Sequence, residues 1–347
     1  MEDKKYTMHL DVSDFLPADE SEKQSLVTMR KSSSFFKDGV NRLKKNPVAM
    51  VSLFVIIVVM IFAFILPEFW PYNYKEQIRG SENLKPMEYS LKEQSRIDAG
   101  EEVFPHILGT DSLGRDYAVR TMMGARISLL VGMIASVLIL IIGSIYGACA
   151  AYFGGRVDMI MMRIVDIIYT VPDIMLIILM SVTLKDPIKE LANKYSFLSW
   201  INVIGVPLIC IFIVFSLLYW VGMARVVRSQ VLTIKEQEYV TAARAMGASH
   251  ARIIKNHLLT NCVGTLIVMT TLQIPSSIFT ESFLSFIGLG VSAPMPSLGS
   301  MAKEALSGMR SYPVRLLVPA ILISLIILAF NLLGDGLRDA FDPKLKK

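Results

Sequence analysis

ISLLVGMIASVLILIIGSIYGACAAYF, residues 127–153, contains no Lys, Arg, Asp or Glu. It exceeds the roughly 20 apolar residues a helix needs to cross the hydrocarbon core of a bilayer. Four more uncharged runs meet that length: Val48 to Leu66, Tyr195 to Ala224, Leu258 to Thr280 and Leu316 to Gly334. A sixth, Met159 to Leu184, carries Arg163, Asp166 and Asp173. Ionisable groups inside a span are costly unless they face a cavity, a partner or the interface. With 53% of its 347 residues apolar, the chain is expected to be an all-α membrane protein of six transmembrane helices, because helices satisfy their own backbone polar groups in lipid.

The first apolar run begins only at Val48, too late for a secretory signal, so the first helix is expected to remain as an anchor. Cys149, Cys210 and Cys262 lie within apolar runs and suggest neither a disulfide framework nor a metal site. Charge sets the orientation. Between Arg225 and Lys255 there are six Lys/Arg against two acidic residues, and Lys37, Arg42, Lys44 and Lys45 crowd the entry to the first span; Glu68 to Asp116 holds ten acidic against six basic. The positive-inside rule places the basic segments and both termini in the cytosol, and the Glu68 to Asp116 stretch outside. Arg120 and Arg126 fall on the outer side against that rule.

The expected organisation is a polar cytoplasmic tail (1–33), an interfacial helix (34–46), the first span (47–66), an extracellular segment (67–120) and a core (121–338), followed by a cytoplasmic tail (339–347). Within the core, spans are expected at 126–153, 158–184, 197–224, 258–283 and 314–335, with a cytoplasmic loop at 225–257. The interfacial helix rests on Phe36, Val40 and Leu43 at i, i+4 and i+7; the cytosolic start of the first span reads equally well. The outer segment, with Trp70, Tyr72, Tyr74 and several prolines, is long enough to be a small folded cap.

Between the fourth and fifth runs lies EYVTAARAMGASHARIIKNHLLTN, Glu238 to Asn261. Small side chains at Ala242, Ala243, Ala245, Gly247 and Ala248 make a helix surface thin enough for another protein's groove, rimmed by Glu238, Arg244 and Arg252. His250 and His257 lack a third ligand nearby, so a metal site is not expected. Gly109-Thr-Asp-Ser-Leu-Gly114-Arg115-Asp116 keeps the glycine spacing of a phosphate-binding loop, but Arg115 and Asp116 replace the Lys and Ser/Thr that grip phosphate and magnesium. Neither an ATPase nor a metalloenzyme signature is found.

Five ordered blocks resemble one family. They are His106-Ile-Leu-Gly109-Thr-Asp111-Ser-Leu-Gly114-Arg115-Asp116 with Gly124-Ala-Arg126-Ile-Ser128-Leu-Leu-Val-Gly132; Gly154-Gly155 with Asp158, Met162, Arg163, Asp166 and Pro172; the Glu238 to Asn261 segment; Glu281-Ser-Phe-Leu-Ser285-Phe-Ile-Gly288-Leu-Gly290 with Pro294 and Pro296; and Asn331-Leu-Leu-Gly334-Asp335-Gly336-Leu-Arg338-Asp339-Ala-Phe-Asp342-Pro343. From about residue 104 onward the chain resembles ATP-binding-cassette (ABC) importer permeases of the peptide/nickel subfamily, above all their C-type oligopeptide permeases. The family's coupling loop usually ends in Leu-Pro; here Leu259-Thr260 stands there, so a smoother run into the fifth span is expected.

The resemblance implies a type I ABC importer permease fold and a non-catalytic subunit of an ATP-driven oligopeptide importer in the bacterial plasma membrane. It implies four kinds of partner: a second homologous permease, two cytosolic ABC ATPases, an extracellular peptide-binding protein and membrane lipid, without nucleic acid. No cofactor is expected on this chain, ATP and Mg being held by the ATPases. Coupling is assigned to Glu238, Thr241, Ala242, Ala243, Arg244, Gly247, Ala248 and Ile253. Dipeptides, nickel chelates or other small solutes are alternative cargo, and a proton-coupled secondary transporter with Asp166, Asp173 and Glu281 as relay groups is the alternative from another class.

Within the spans, Gly132, Ser136, Gly143 and Gly147 share one helix face and read as a packing seam or as a source of gating flexibility. Arg163 and Asp166 read as a structural pair or as a substrate contact. Asp173, after Pro172, is a candidate for lining the translocation path. Glu281 is a second, contacting an arriving peptide's amino group or capping the turn that follows.

Overall fold

A computed structural model describes residues 35–291 and 293–341; the tails expected at 1–33 and beyond 341 lie outside them. α1 (Phe35–Lys45) leads into α2 (Pro47–Met60). Pro47 opens α2, where its missing N–H costs nothing, and the Asn46 side chain accepts from the amides of Val48 and Ala49. The span continues as a π turn, Ile61–Ile65, and a 3-10 turn, Leu66–Glu68. The following segment carries one regular helix, α3 (Leu91–Asp98), closed by a reciprocal Ser90/Glu93 capping box.

α4 (Tyr117–Phe153) is the axis of the bundle. Asp116 caps its start by accepting from the Val119 amide at 2.9 Å, and Gly154, at φ +64, ends it in a conformation that suits glycine. α4 packs along α9 (Trp220–Ile234) and α12 (Val263–Ile287). The small-residue face explains how: a β-carbon at Gly143 or Gly147 would overlap Met223 or the Ala224 backbone of α9, and one at Gly132 would lie 2.5 Å from Ile278 of α12. Small residues admit such backbone approach. Ser136 is buried beside them and donates to the Met133 carbonyl. α14 (Val314–Phe341) packs on α12 and α2, with Gly336 against Ala49.

The third span departs from expectation. In place of one helix over 158–184 there are α5 (Gly155–Thr170) and α6 (Asp173–Lys194), bent by 89°. Pro172 disfavours helical geometry in the residue before it and lacks a donor, and Val171 is extended at φ −86, ψ 135. Among the described residues five helices are long and apolar enough to cross a membrane, six if the bent pair is one span. The fourth span comprises α8 (Val206–Leu218), preceded by the short α7 (Trp200–Ile204), and α9, which runs past the expected end at 224. α1 is more than an interfacial strip: Gly39 lies under the Phe341 ring, and Phe36 meets that ring edge-on.

Candidate functional site

At one end of the bundle the coupling segment folds as α10 (Glu238–Ala245), a turn at Gly247, and α11 (His250–Arg252). It then winds as a π turn, Ile253–Leu258, and a 3-10 turn, Leu259–Cys262, before α12. The chain runs from His250 to Ile287 without a break, as expected from Thr260, but the winding changes twice on the way and Thr260 Oγ1 donates to the Lys255 carbonyl.

The expected coupling residues divide by burial. Glu238, Thr241, Ala242, Arg244 and Gly247 are exposed and Ala248 is half-buried, whereas Ala243 and Ile253 are buried. Val240, Ile253 and Leu258 pack with Val227 and Val231 of α9. The small side chain at Ala243 thus serves internal packing. Gly247 is there for its backbone, at φ +81, with open space where a β-carbon would stand. Sequence reasoning missed Met246, 82% exposed, and Tyr239, 42% exposed, as the large apolar groups of this surface. Tyr152 of α4 steadies the segment: its hydroxyl bonds His250 Nδ1 at 2.7 Å and its ring lies under Arg244.

Along α5 the ion pairing differs from expectation. Asp166 accepts from Arg225 Nη2 at 2.8 Å, and that guanidinium covers the Tyr169 ring at 4.4 Å. Arg163 is exposed and has no ion pair among the described residues. One helix side holds Arg163 and Asp166, but α9 supplies the nearer cation. In the first turn of α5, Asp158 takes both Nε and Nη2 of Arg228 at 2.6 Å. The side chain of Asp173 lies outside what is described.

Glu281 is fully buried. Its carboxyl accepts from Ser128 at 2.8 Å, Ser285 at 2.7 Å and Ser282 at 3.3 Å, and Ser128 in turn accepts from the Leu298 amide. It ties α4, α12 and α13 (Leu298–Ala305) together, so neither peptide contact nor simple turn-capping describes its place. A cavity with a partly polar lining lies elsewhere, at the break between α5 and α6, with a volume of about 450 Å³.

At the opposite end of the bundle both unexplained arginines find partners. Arg120 is buried against Asp111, with Glu304 at 2.9 Å. Arg126 donates to the Ala63 and Phe64 carbonyls and meets Glu68 at 2.9 Å. His106 is buried here too, between Asp116 and Glu93. The block that imitates a phosphate loop is a capping device: Asp111 binds Arg115 at 2.6 Å, and Asp116 opens α4.

A polytopic helical bundle with a broken third span and an exposed helical segment between its fourth and fifth spans is the architecture of a membrane permease subunit. Residues 139–347 match the family described as binding-protein-dependent transport system inner membrane component, and residues 34–86 match the N-terminal TM domain of oligopeptide transport permease C. The chain belongs to this permease family. It is 40% identical to the oligopeptide transport system permease protein OppC of Bacillus subtilis, over 92% of each chain. It is 41% identical to the dipeptide transport system permease protein DppC of the same organism, over 96% of this chain and 93% of the relative. It is 33% identical to OppC of Escherichia coli K12, over 90% of this chain and 92% of the relative.

Proposed function

We propose that this chain is the C-type permease subunit of an ATP-driven importer of oligopeptides or dipeptides in a bacterial plasma membrane. The observation that carries the reading is similarity to oligopeptide and dipeptide permeases across nearly the whole chain. In this reading the chain forms half of the translocation pathway with a second homologous permease. One of the two cytosolic ATPases docks on the exposed side of α10 around Ala242 and Glu238 and on Met246 just after it, the other docks on the second permease, and a peptide-binding protein delivers cargo to the His106 end. Both termini are cytosolic. The chain binds no nucleotide itself. Engagement of Asp166 by Arg225 argues against a proton relay through that carboxylate.

The reading is tested in proteoliposomes holding this chain, its second permease and two ATPases, with binding protein and peptide added. ATP hydrolysis in step with peptide uptake is expected, and none above background for the isolated chain. Uptake driven by a pH gradient without ATP would overturn it. Sidedness has its own test in a background lacking Cys149, Cys210 and Cys262. Leu91→Cys, at a position 89% exposed, should react with an impermeant maleimide added outside intact cells, and Met246→Cys should not.

A further inference from the structure

The break in the third span exposes backbone at membrane depth. α5 has 16 residues, which at about 1.5 Å each puts Val171 and Pro172 on the order of 20 Å along it. That is inside a hydrocarbon core roughly 30 Å thick. Irregular backbone is tolerated there only when buried in protein or lining a watered cavity, and here it lines the 450 Å³ cavity. Pro172 has no N–H to give the Ile168 carbonyl, so the end of α5 turns acceptors toward this space. Across the cavity, α8 gives way to α9 at Tyr219, whose backbone stays helical at φ −83, ψ −13.

The wall combines two kinds of surface. Thr170 brings a hydroxyl that donates to the Asp166 carbonyl and keeps its oxygen as an acceptor, Tyr219 brings one bonded to Thr280, and Leu176, Leu218 and Val221 are apolar. Backbone acceptors beside hydroxyls suit the amides of an extended peptide, and the apolar part is indifferent to side-chain identity. The volume falls within the range of about 300–1,000 Å³ typical of small-ligand sites.

One residue on this wall is otherwise unexplained. Gly222 is exposed, and a β-carbon built on it would meet nothing within 4 Å. Glycine weakens a helix relative to alanine, and its usual service in membrane helices is close packing. Gly132, Gly143 and Gly147 perform that service; among the described residues of this chain nothing packs on Gly222, and the glycine leaves the cavity wide.

We propose that the cavity at the α5–α6 break is a section of the peptide path and that Gly222 sets the side-chain size it admits. The inference rests on the peptide-import reading and adds to it a location and a specificity-determining residue. The experiment compares triglycine with triphenylalanine uptake in the reconstituted complex for wild type, Gly222→Ala and Gly222→Leu. For Gly222→Leu, triphenylalanine uptake relative to triglycine should fall by about tenfold or more, the scale of steric exclusion from a fitted pocket. Gly222→Ala should give a ratio between the two, with assembly near wild type. An unchanged ratio, or loss of assembly with the second permease, overturns the inference while leaving peptide import intact. Failure of the wild-type complex to import either peptide overturns the import reading itself. Independently of cargo, Gly222→Cys in the cysteine-free background should react with a water-soluble maleimide, whereas Ile160→Cys, exposed on the outside of α5, should not; equal inertness of the two would also overturn the watered cavity.

Discussion

His106 Nδ1 lies 2.8 Å from Asp116, the residue that caps the long central helix. The other ring nitrogen meets Glu93 at 3.1 Å, within the capping box of α3, and Tyr72 stacks on the ring. With a carboxylate at each nitrogen, the doubly protonated imidazolium satisfies both. Burial opposes that charge, but the hydrogen bonds and charges of Asp116 and Glu93 outweigh it and raise the His106 pKa. The Glu93 carboxyl is held low in return: burial raises it, and the Ser90 and His106 bonds more than compensate.

A pH dependence follows. A histidine whose folded pKa is raised stabilises fully below its unfolded value of about 6.5 and loses that contribution as pH rises through the folded value. The lowered Glu93 works oppositely, its contribution being lost in acid. Protection of the 69–116 segment from hydrogen exchange should therefore be greatest at mildly acidic pH and decline as pH rises above neutral. His106→Ala should abolish the alkaline decline and destabilise docking of the segment by about 3–5 kcal/mol, since it leaves buried carboxylates without their cation. An unaltered alkaline profile in His106→Ala would contradict the assignment.

The two ion pairs of α5 should differ in worth. Asp166 and Arg225 are 57% and 39% exposed, and pairs of this kind contribute about 0–1 kcal/mol. Asp158 is 14% exposed and takes two charge-assisted bonds from Arg228, a class worth about 1.5–3 kcal/mol. Thermal unfolding in detergent should show Asp158→Asn clearly destabilised, Asp166→Asn weakly so, and Arg163→Gln unchanged. Equal loss in Asp166→Asn and Asp158→Asn would refute this ranking.

The spans were legible because long apolar runs have few alternatives, but the third was read as one helix, because hydropathy runs on across Pro172 and does not register the break there. Partners were harder to read. Arg225 lies 59 residues from Asp166, so local helical spacing offered Arg163 in its place. His106 reaches Glu93 and Asp116 across a segment with no periodicity, and Glu281 meets serines from separate helices. At Ala243, a small side chain fits either a thin outward surface or a tight inward one, and only the packing of neighbouring Val240 and Ile253 against α9 decides between them.

That distinction gives a test on the coupling segment. Met246→Asp changes an exposed side chain and should leave thermal stability near wild type while reducing ATPase co-purification. Ala243→Glu buries a carboxylate without a partner and should lower the stability of the permease itself. Reversed outcomes would place Ala243 on the docking surface and Met246 outside it.

The glycines of α4 and α9 supply the sharpest contrast. A β-carbon at Gly147 would overlap the Ala224 carbonyl, and that backbone has no flexible end to swing aside. Gly147→Val should therefore push α4 from α9 at a cost of about 1–3 kcal/mol or more, read as a lowered melting temperature and greater protease sensitivity. Gly222→Ala, two residues before Ala224 on α9 but facing open space, should be neutral or slightly stabilising, because alanine restricts the unfolded chain and fits the same helical backbone. If both variants melt like wild type, the α4–α9 contact is looser than this geometry requires.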